Sequence, residues 1–254
     1  MPLPDEDRIV QPAVEPTRMR TAVVVGAGGA IGGALVRQLL DDAGIECVHA
    51  WSRRPLDLGH EKLRVSLFEA TDEASVALAA ERVGTPDLVI VATGLLHTDG
   101  GAGPEKSWHD LDSDRLVASF LANAIGPALV AKHLLGRLPR DRRAVFAALS
   151  ARVGSIGDNR LGGWYGYRAS KAALNQLIKC LAIELARSRP QAICVGLHPG
   201  TVDSRLSKPF QSALASDRLF TPERAAAALI GVIGGLTPAE TGGFFAWDGR
   251  SIPF

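Results

Sequence analysis

The sequence predicts a doubly wound α/β fold, and three observations carry that expectation. Short apolar runs rich in β-branched residues alternate with longer amphipathic stretches, the runs are continuous rather than alternating, and the first passes through a glycine-rich turn into a helix. Strands are expected over residues 22–25, 46–51, 87–92, 144–149, 192–197 and 244–247. The run Leu88-Val89-Ile90-Val91-Ala92 leaves no polar face, which suits a strand covered by helices on both sides of a parallel sheet. At 254 residues, one domain accommodates the whole pattern. No internal repeat interrupts it, and Asp99-Gly100-Gly101-Ala102-Gly103-Pro104 reads as a loop rather than a linker.

Bulk composition narrows the function. Lysine and arginine number 28 against 27 acids, and a net charge of +1 gives no electrostatic basis for binding nucleic acid or an anionic membrane. The uncharged run 21–36, which no other exceeds in length, is shorter than the roughly 20 residues of a membrane span and is thick with glycine. Residues 1–19 carry early acids and four prolines in place of a signal sequence's apolar core, and read as a flexible tail before a domain over 20–254. Cys47, Cys180 and Cys194 lie in apolar stretches without CxxC spacing, as expected of buried thiols in a reducing, cytoplasmic setting. None of the six histidines has metal-ligand spacing, so no metal is expected.

In the turn Val25-Gly26-Ala27-Gly28-Gly29-Ala30-Ile31-Gly32, Gly26 lets the chain reverse. Gly28 or Gly29 lets backbone N–H groups approach a pyrophosphate, and Gly32 seats the helix close on the sheet. The spacing fits Gly26-x-x-Gly29-x-x-Gly32. Some 20 residues on, where an acid would hold a free ribose diol, the chain reads Ser52-Arg53-Arg54. Guanidinium forks match phosphate oxygens, so NADP(H) is expected over NAD(H), with Asp57 the rival acidic ligand.

A helix opens near Tyr167 and runs towards Arg187, placing Tyr167 and Lys171 on one face. An ammonium there would lower the phenol from its usual value of about 10 towards the range of a general acid/base. Tyr165 has Ala169 at the matching position and reads as an aromatic wall. Ser150 ends the apolar run 144–149 at the carboxyl edge, where its hydroxyl is placed to hold a substrate oxygen or to bond a loop. Pro127, within a helical pattern from about Ser113 to Leu138, lacks the N–H that Asn123's carbonyl would accept. That carbonyl is then either a water anchor relaying protons from Lys171 or one side of a simple kink.

Taken together, these residues resemble the short-chain dehydrogenases/reductases from about residue 20 to the C-terminus, within them the C-factor-like bacterial branch, on the stretches LHPGTVDSRLSKPFQ and AWDGRSIPF. The resemblance implies a single Rossmann domain with a mostly parallel, roughly seven-stranded sheet. It implies a catalytic tetrad of Asn123, Ser150, Tyr167 and Lys171. The cofactor is then expected against Gly26, Gly28, Gly29, Ala30, Ile31, Ser52, Arg53, Arg54, Glu69, Ala92, Thr93 and Gly94, and against Pro199-Gly200-Thr201-Val202, with backbone near Val202 on the nicotinamide carboxamide and Thr201 near the diphosphate. Three departures from the family pattern stand out: Ala30 replaces a common glycine, Glu69 takes the place of an adenine-contacting aspartate after the third strand, and Ala92-Thr93-Gly94 lacks the usual asparagines. Thr93 is expected to supply part of their hydrogen bonding.

The implied reaction moves a hydride between nicotinamide and a carbonyl or alcohol. Walls are expected from Arg152 to Trp164 and from a lid over Asp203 to Phe220, where Phe210 and Phe220 favour an apolar ligand and Arg205, Lys208 and Arg218 an acid. His97 follows the fourth strand and is a candidate to line the site. The alternative is an NADP(H)-binding signalling or sensor protein with little turnover; a dehydratase or epimerase would need a larger substrate domain. The helices bearing Asn123 and Tyr167 resemble those through which family members form dimers and tetramers, so a homo-oligomer is expected.

Overall fold

The computed structural model describes residues 19–97, 103–208, 211 and 219–254. Nearly all of the expected tail, most of the glycine-rich loop, Phe210 and Arg218 lie outside the described residues. Seven parallel strands form one sheet in the order β3-β2-β1-β4-β5-β6-β9. They are β1 (Thr21–Val25), β2 (Cys47–Ser52), β3 (Leu63–Leu67), β4 (Leu88–Val91), β5 (Ala144–Leu149), β6 (Ala192–His198) and β9 (Phe244–Ala246). The order reverses between β1 and β4, and a doubly wound sheet opens its ligand crevice at that point on the carboxyl edge.

Alternate residues of each strand feed opposite faces. Ala22, Val24, Ile90, Val145, Ala147, Ile193 and Val195 meet Leu35, Leu39, Leu229 and Ile233 from α1 (Ala30–Asp41) and α6 (Pro222–Gly235). Val23, Val25, Val89, Val91, Phe146 and Ala148 meet α2 (Glu73–Glu81), α4 (Gly126–Leu134) and α5 (Tyr165–Ser188) through Val76, Val130, Leu134, Leu174 and Ile178. The central strands therefore have no face for water, which is why their sequences are apolar throughout. A two-stranded piece, β7 (Thr201–Val202) with β8 (Leu219–Phe220), lies beyond β6.

The six strands expected from sequence are present with no end shifted by more than one residue, and β5 is matched end to end. Missing from that reading is β3, an edge strand whose Val65 and Leu67 are exposed and whose Arg64 breaks the apolar run. The single helix expected from Ser113 to Leu138 is α3 (Ser113–Phe120), a π-helical turn over Leu121–Ile125, then α4 and a 3₁₀ turn to Arg137. By length and apolarity Ser113–Arg137 passes for a membrane span, yet here Asn123, Ala124, Val130, Ala131 and Leu134 are buried within the fold. The cysteine expectation is corrected: Cys194 is buried, Cys47 is half-buried at the start of β2, and Cys180 is exposed on α5. All three are free thiols.

Candidate active site

The glycine turn is built by backbone closeness. Gly26 has φ +88°, and a Cβ on it would lie 3.0 Å from the Ala92 carbonyl carbon; a Cβ on Gly32 would lie only 2.2 Å from the Gly26 carbonyl oxygen. The N–H groups of Gly26 and Ala27 both donate to the Trp51 carbonyl, 2.9 Å each, tying the turn to the end of β2. Helix α1 begins at Ala30 with neither a capping side chain nor an acid in its first turn, so its N-terminal N–H groups and partial positive charge face outward. Ile31 packs on Val202 and Phe220, joining this turn to the segment after β6.

Beside the turn is a cleft of about 260 Å³ lined by Gly28, Gly29, Ala30, Gly33, Arg37, Leu56, Asp57 and Leu58. A Cβ on Gly28 would lie 2.7 Å from Ser52 Oγ, so glycine is what keeps this space open. Ser52 is buried at the end of β2 and accepts the Arg54 N–H at 3.3 Å, while Arg53 and Arg54 are exposed on the following turn. Arg37 was not anticipated. Its guanidinium folds back along α1 to 3.7 Å from where a Cβ on Gly33 would be, and it also meets Glu223 at 3.7 Å. Only the i,i+4 relation to Gly33 could have pointed to it.

A pyridine dinucleotide fits these features: a glycine cradle, an uncapped helix start, and a buried Thr93 Oγ1 without a hydrogen-bond partner among the described residues. That orphaned hydroxyl runs against the expectation that Thr93 replaces the family's asparagine bonding, since it accepts and donates nothing among the described residues. The bracing comes instead from Asn123, fully buried in the π turn. Its Oδ1 accepts the Leu95 N–H at 2.8 Å, and its Nδ2 donates to the Leu95 carbonyl at 2.7 Å and to Ser170 Oγ at 3.1 Å. Glu69 turns its carboxylate to Thr71. Gly200, with φ +80°, passes beneath Phe220 and Trp247 after Pro199, leading into Thr201 and Val202.

Tyr167 and Lys171 share one face of α5, with Lys171 Nζ 5.9 Å from the Tyr167 ring centroid. Lys171 is buried and donates to the Leu149 carbonyl at 2.7 Å; Ser150, the next residue, donates through Oγ to Asn175 Oδ1 at 2.7 Å. Two successive turns of α5 thus hold the end of β5. A Cβ on Gly154 would lie 2.7 Å from Lys171 Cβ, so that glycine lets the loop after Ser150 lie on the helix. Across the crevice, a Cβ on Gly94 would meet Asn123 Oδ1, Leu206 and Lys171 Nζ within 3.6–3.9 Å, which brings the ends of β4 and β5 and the segment after β7 to one place. His97 reaches the Leu206 carbonyl at 3.3 Å and borders the same place. Trp164 is an aromatic neighbour of Tyr167, edge-on at 6.4 Å between centroids.

Burial pushes the Tyr167 phenol up to about 12 and depresses the Lys171 ammonium to about 7. The expected lowering of Tyr167 by Lys171 is therefore not a property of the protein alone, because desolvation of both groups outweighs their attraction. A stability prediction follows from Lys171. An unfolded lysine titrates near 10.4, so between about pH 7 and 10 the unfolded chain holds the proton that the folded chain has lost. Wild-type stability should accordingly rise with pH across that window, while Tyr167 acts oppositely only above about pH 10. Lys171→Met should raise Tm most near pH 7 and progressively less towards pH 9.5 or so; a pH-independent difference in differential scanning fluorimetry would contradict a depressed Lys171.

No group of three or more potential metal ligands occurs among the described residues. The short chain dehydrogenase family model matches residues 20–215. A 1-hydroxy-2-glutathionyl-2-methyl-3-butene dehydrogenase of Rhodococcus sp. is 32% identical over 239 residues, covering 92% of this chain and 99% of the relative. The C-signal protein of Myxococcus xanthus is 32% identical over 161 residues, covering 63% of this chain and 91% of that one. An NADPH-bound carbonyl reductase from chicken fatty liver superposes with a TM-score of 0.81 at 25% identity, over 93% of this chain and 95% of that one. With a family match across most of its length and the sheet order, glycine turn and Tyr167–Lys171 helix in place, the chain is an oxidoreductase belonging to the short chain dehydrogenase family.

Proposed function

We propose that this oxidoreductase reduces a carbonyl group of a small molecule with NADPH, and that Tyr167 is the general acid. The observation that carries this reading is Tyr167, half-buried beside Lys171, its phenol kept protonated by desolvation at the carboxyl edge of the sheet. NADPH, when bound, supplies the hydride. Tyr167 then donates its proton to the carbonyl oxygen as negative charge develops there. Ser150, whose hydroxyl donates to Asn175, keeps its oxygen lone pairs to accept a hydrogen bond and would orient the phenol or the substrate through them. Lys171 restores the proton, and Asn123 fixes the floor through Leu95. Ala92, Thr93 and Gly94 on one side and Pro199 to Val202 on the other would flank the nicotinamide, as the resemblance implies.

Preference for NADPH over NADH belongs to the same proposal. Its support is Arg37 from α1, which lines the cleft with Asp57 and also meets Glu223, together with the exposed pair Arg53 and Arg54 on the turn after β2. A charged hydrogen bond is worth about 1.5–3 kcal/mol, or roughly tenfold to a hundredfold in affinity. Fluorescence titration should show wild type binding NADPH more tightly than NADH. Arg37→Ala and Arg53→Ala should each lower that ratio about tenfold by weakening NADPH alone. Equal binding of both nucleotides by wild type would remove the NADPH assignment.

A second reading, an NADP(H)-binding signalling protein with little turnover, is favoured by the likeness to C-signal. Within either reading we propose a cytoplasmic homo-dimer or homo-tetramer, supported by exposed Val117, Ile125 and Ile183 on the α3 to α5 surface.

A further inference from the structure

Immediately before α5 the chain runs through three consecutive left-handed residues: Gly162 at φ +63°, Gly163 at φ +63° and Trp164 at φ +53°. Trp164 is the only non-glycine residue with positive φ among the described residues, a conformation that a side chain rarely adopts unless its surroundings impose it. It is the residue that caps α5, and it does so without a side-chain hydrogen bond to the helix. The first turn of α5, Tyr165-Gly166-Tyr167, contains no acid of its own.

What holds this turn comes from far away in sequence, 61 residues from Gly166. Glu105 is 4% exposed, and the mechanism above makes no use of it. Its carbonyl accepts the Trp164 N–H at 2.5 Å, and its carboxylate accepts the Gly166 N–H at 3.2 Å. Arg115 on α3 approaches the same carboxylate at 3.9 Å and also donates to the Gly103 carbonyl. From the other side, Arg168 donates to the carbonyls of Gly162 and Gly163, at 3.1 and 3.0 Å, and to that of Val153 at 3.2 Å. A Cβ on Gly166 would lie 3.1 Å from Ser119 Oγ and 3.2 Å from Glu105 Oε1, so glycine is what allows α3, Glu105 and α5 to close together. One residue further on stands Tyr167, its ring edge-on to Trp164.

We propose that Glu105 is a positioning residue for Tyr167: by capping α5 through both its carbonyl and its carboxylate, it imposes the left-handed turn at Trp164 and sets where the phenol stands. The proposal rests on Tyr167 being the proton donor, since only then does its placement govern turnover. The carboxylate is suited to the task because the N–H groups of a helix's first turn are otherwise unsatisfied, and because negative charge is favoured at that end of the helix. Glu105 therefore acts through the helix and touches no substrate.

The chain has two tyrosines, Tyr165 and Tyr167, which makes the test direct. With ¹³Cζ-labelled tyrosine in a Tyr165→Phe background, one resonance reports the Tyr167 phenol without any substrate or cofactor. Glu105→Ala should move or split that resonance, whereas Glu105→Gln, which keeps the acceptor for Gly166, should leave it close to its original position. In turnover with NADPH and a reducible carbonyl compound, Glu105→Ala should lower kcat by tenfold or more at nearly unchanged KM and NADPH affinity. That effect should disappear in a Tyr167→Phe background. A Tyr167 resonance that stays in place in Glu105→Ala while Tm falls would overturn the proposal, reducing Glu105 to a buried structural acid. If Glu105→Ala is not recovered folded, Glu105→Asp, with its shorter reach, takes the same test. Undiminished turnover by Tyr167→Phe would instead remove the functional reading itself.

Discussion

Tyr167→Phe should lower carbonyl turnover by about 10²–10⁴-fold, the usual contribution of a positioned proton donor, while NADPH binding and Tm stay near wild type. The substitution removes one oxygen and keeps the ring, and with it the edge-on contact to Trp164 and the packing near Lys171. Binding survives because the glycine turn, the cleft and Thr93 are contributed by other elements. A phenol pushed up to about 12 remains protonated throughout the neutral range, so reduction should show no loss of rate from Tyr167 ionisation up to about pH 10. The same variant separates the two functional readings. A cellular effect that persists in Tyr167→Phe, with NADPH still bound, would place the protein among binding modules. Loss of the effect together with turnover would make catalysis its function.

The parts of this molecule legible in its sequence are those governed by local chemistry. The β1 turn announces itself because only glycine tolerates φ +88° at Gly26 and the 2.2 Å approach at Gly32. The central strands do so because burial on both faces leaves them no polar residue to confuse the reading. Tyr167 and Lys171 follow from helical periodicity. What escaped notice depends on tertiary neighbours. β3 is half-exposed at the sheet edge, so its pattern resembles a loop. The π turn at Leu121–Ile125 widens the helix ahead of Pro127, and no residue type encodes that shift, although the proline did mark the place. Arg37, Asn175 and Glu105 read as an ordinary helix arginine, a helix asparagine and a loop acid until the fold brings them to the cleft, to Ser150 and to the start of α5. The direction of the Tyr167 shift was missed for a related reason. The Tyr-Lys spacing reveals an attraction, whereas desolvation depends on everything packed around the pair.

Gly32→Ala should be the most damaging single-methyl change in the cofactor site. The new Cβ would meet three backbone atoms: the Gly26 carbonyl oxygen at 2.2 Å, the Gly26 carbonyl carbon at 2.8 Å and the Ala27 Cα at 3.1 Å. No rotamer relieves a clash with backbone, so α1 must move away from the end of β1. Gly26 has little room to yield in the other direction, because the backbone of Ala92 and Thr93 lies so close that even a Cβ on Gly26 would stand 3.0–3.1 Å from it. Overpacking of this kind costs about 1–3 kcal/mol in stability. The larger consequence is for binding: displacing the start of α1 withdraws its N–H groups from the pyrophosphate, and NADPH affinity should fall a hundredfold or so, as for about 3 kcal/mol. Gly33→Ala is the matched control. It adds the same methyl one residue along the same helix, yet its nearest backbone contact is an ordinary 3.4 Å and its next neighbour is the flexible end of Arg37. Replacing an interior helix glycine by alanine favours the helix by about 0.5–1 kcal/mol, so Gly33→Ala should keep or raise Tm. Titration and thermal melts of the two variants side by side therefore test close approach itself. If Gly32→Ala bound NADPH as well as Gly33→Ala, the turn would not be the cradle that the backbone distances describe, and the dinucleotide would have to lie elsewhere along the crevice.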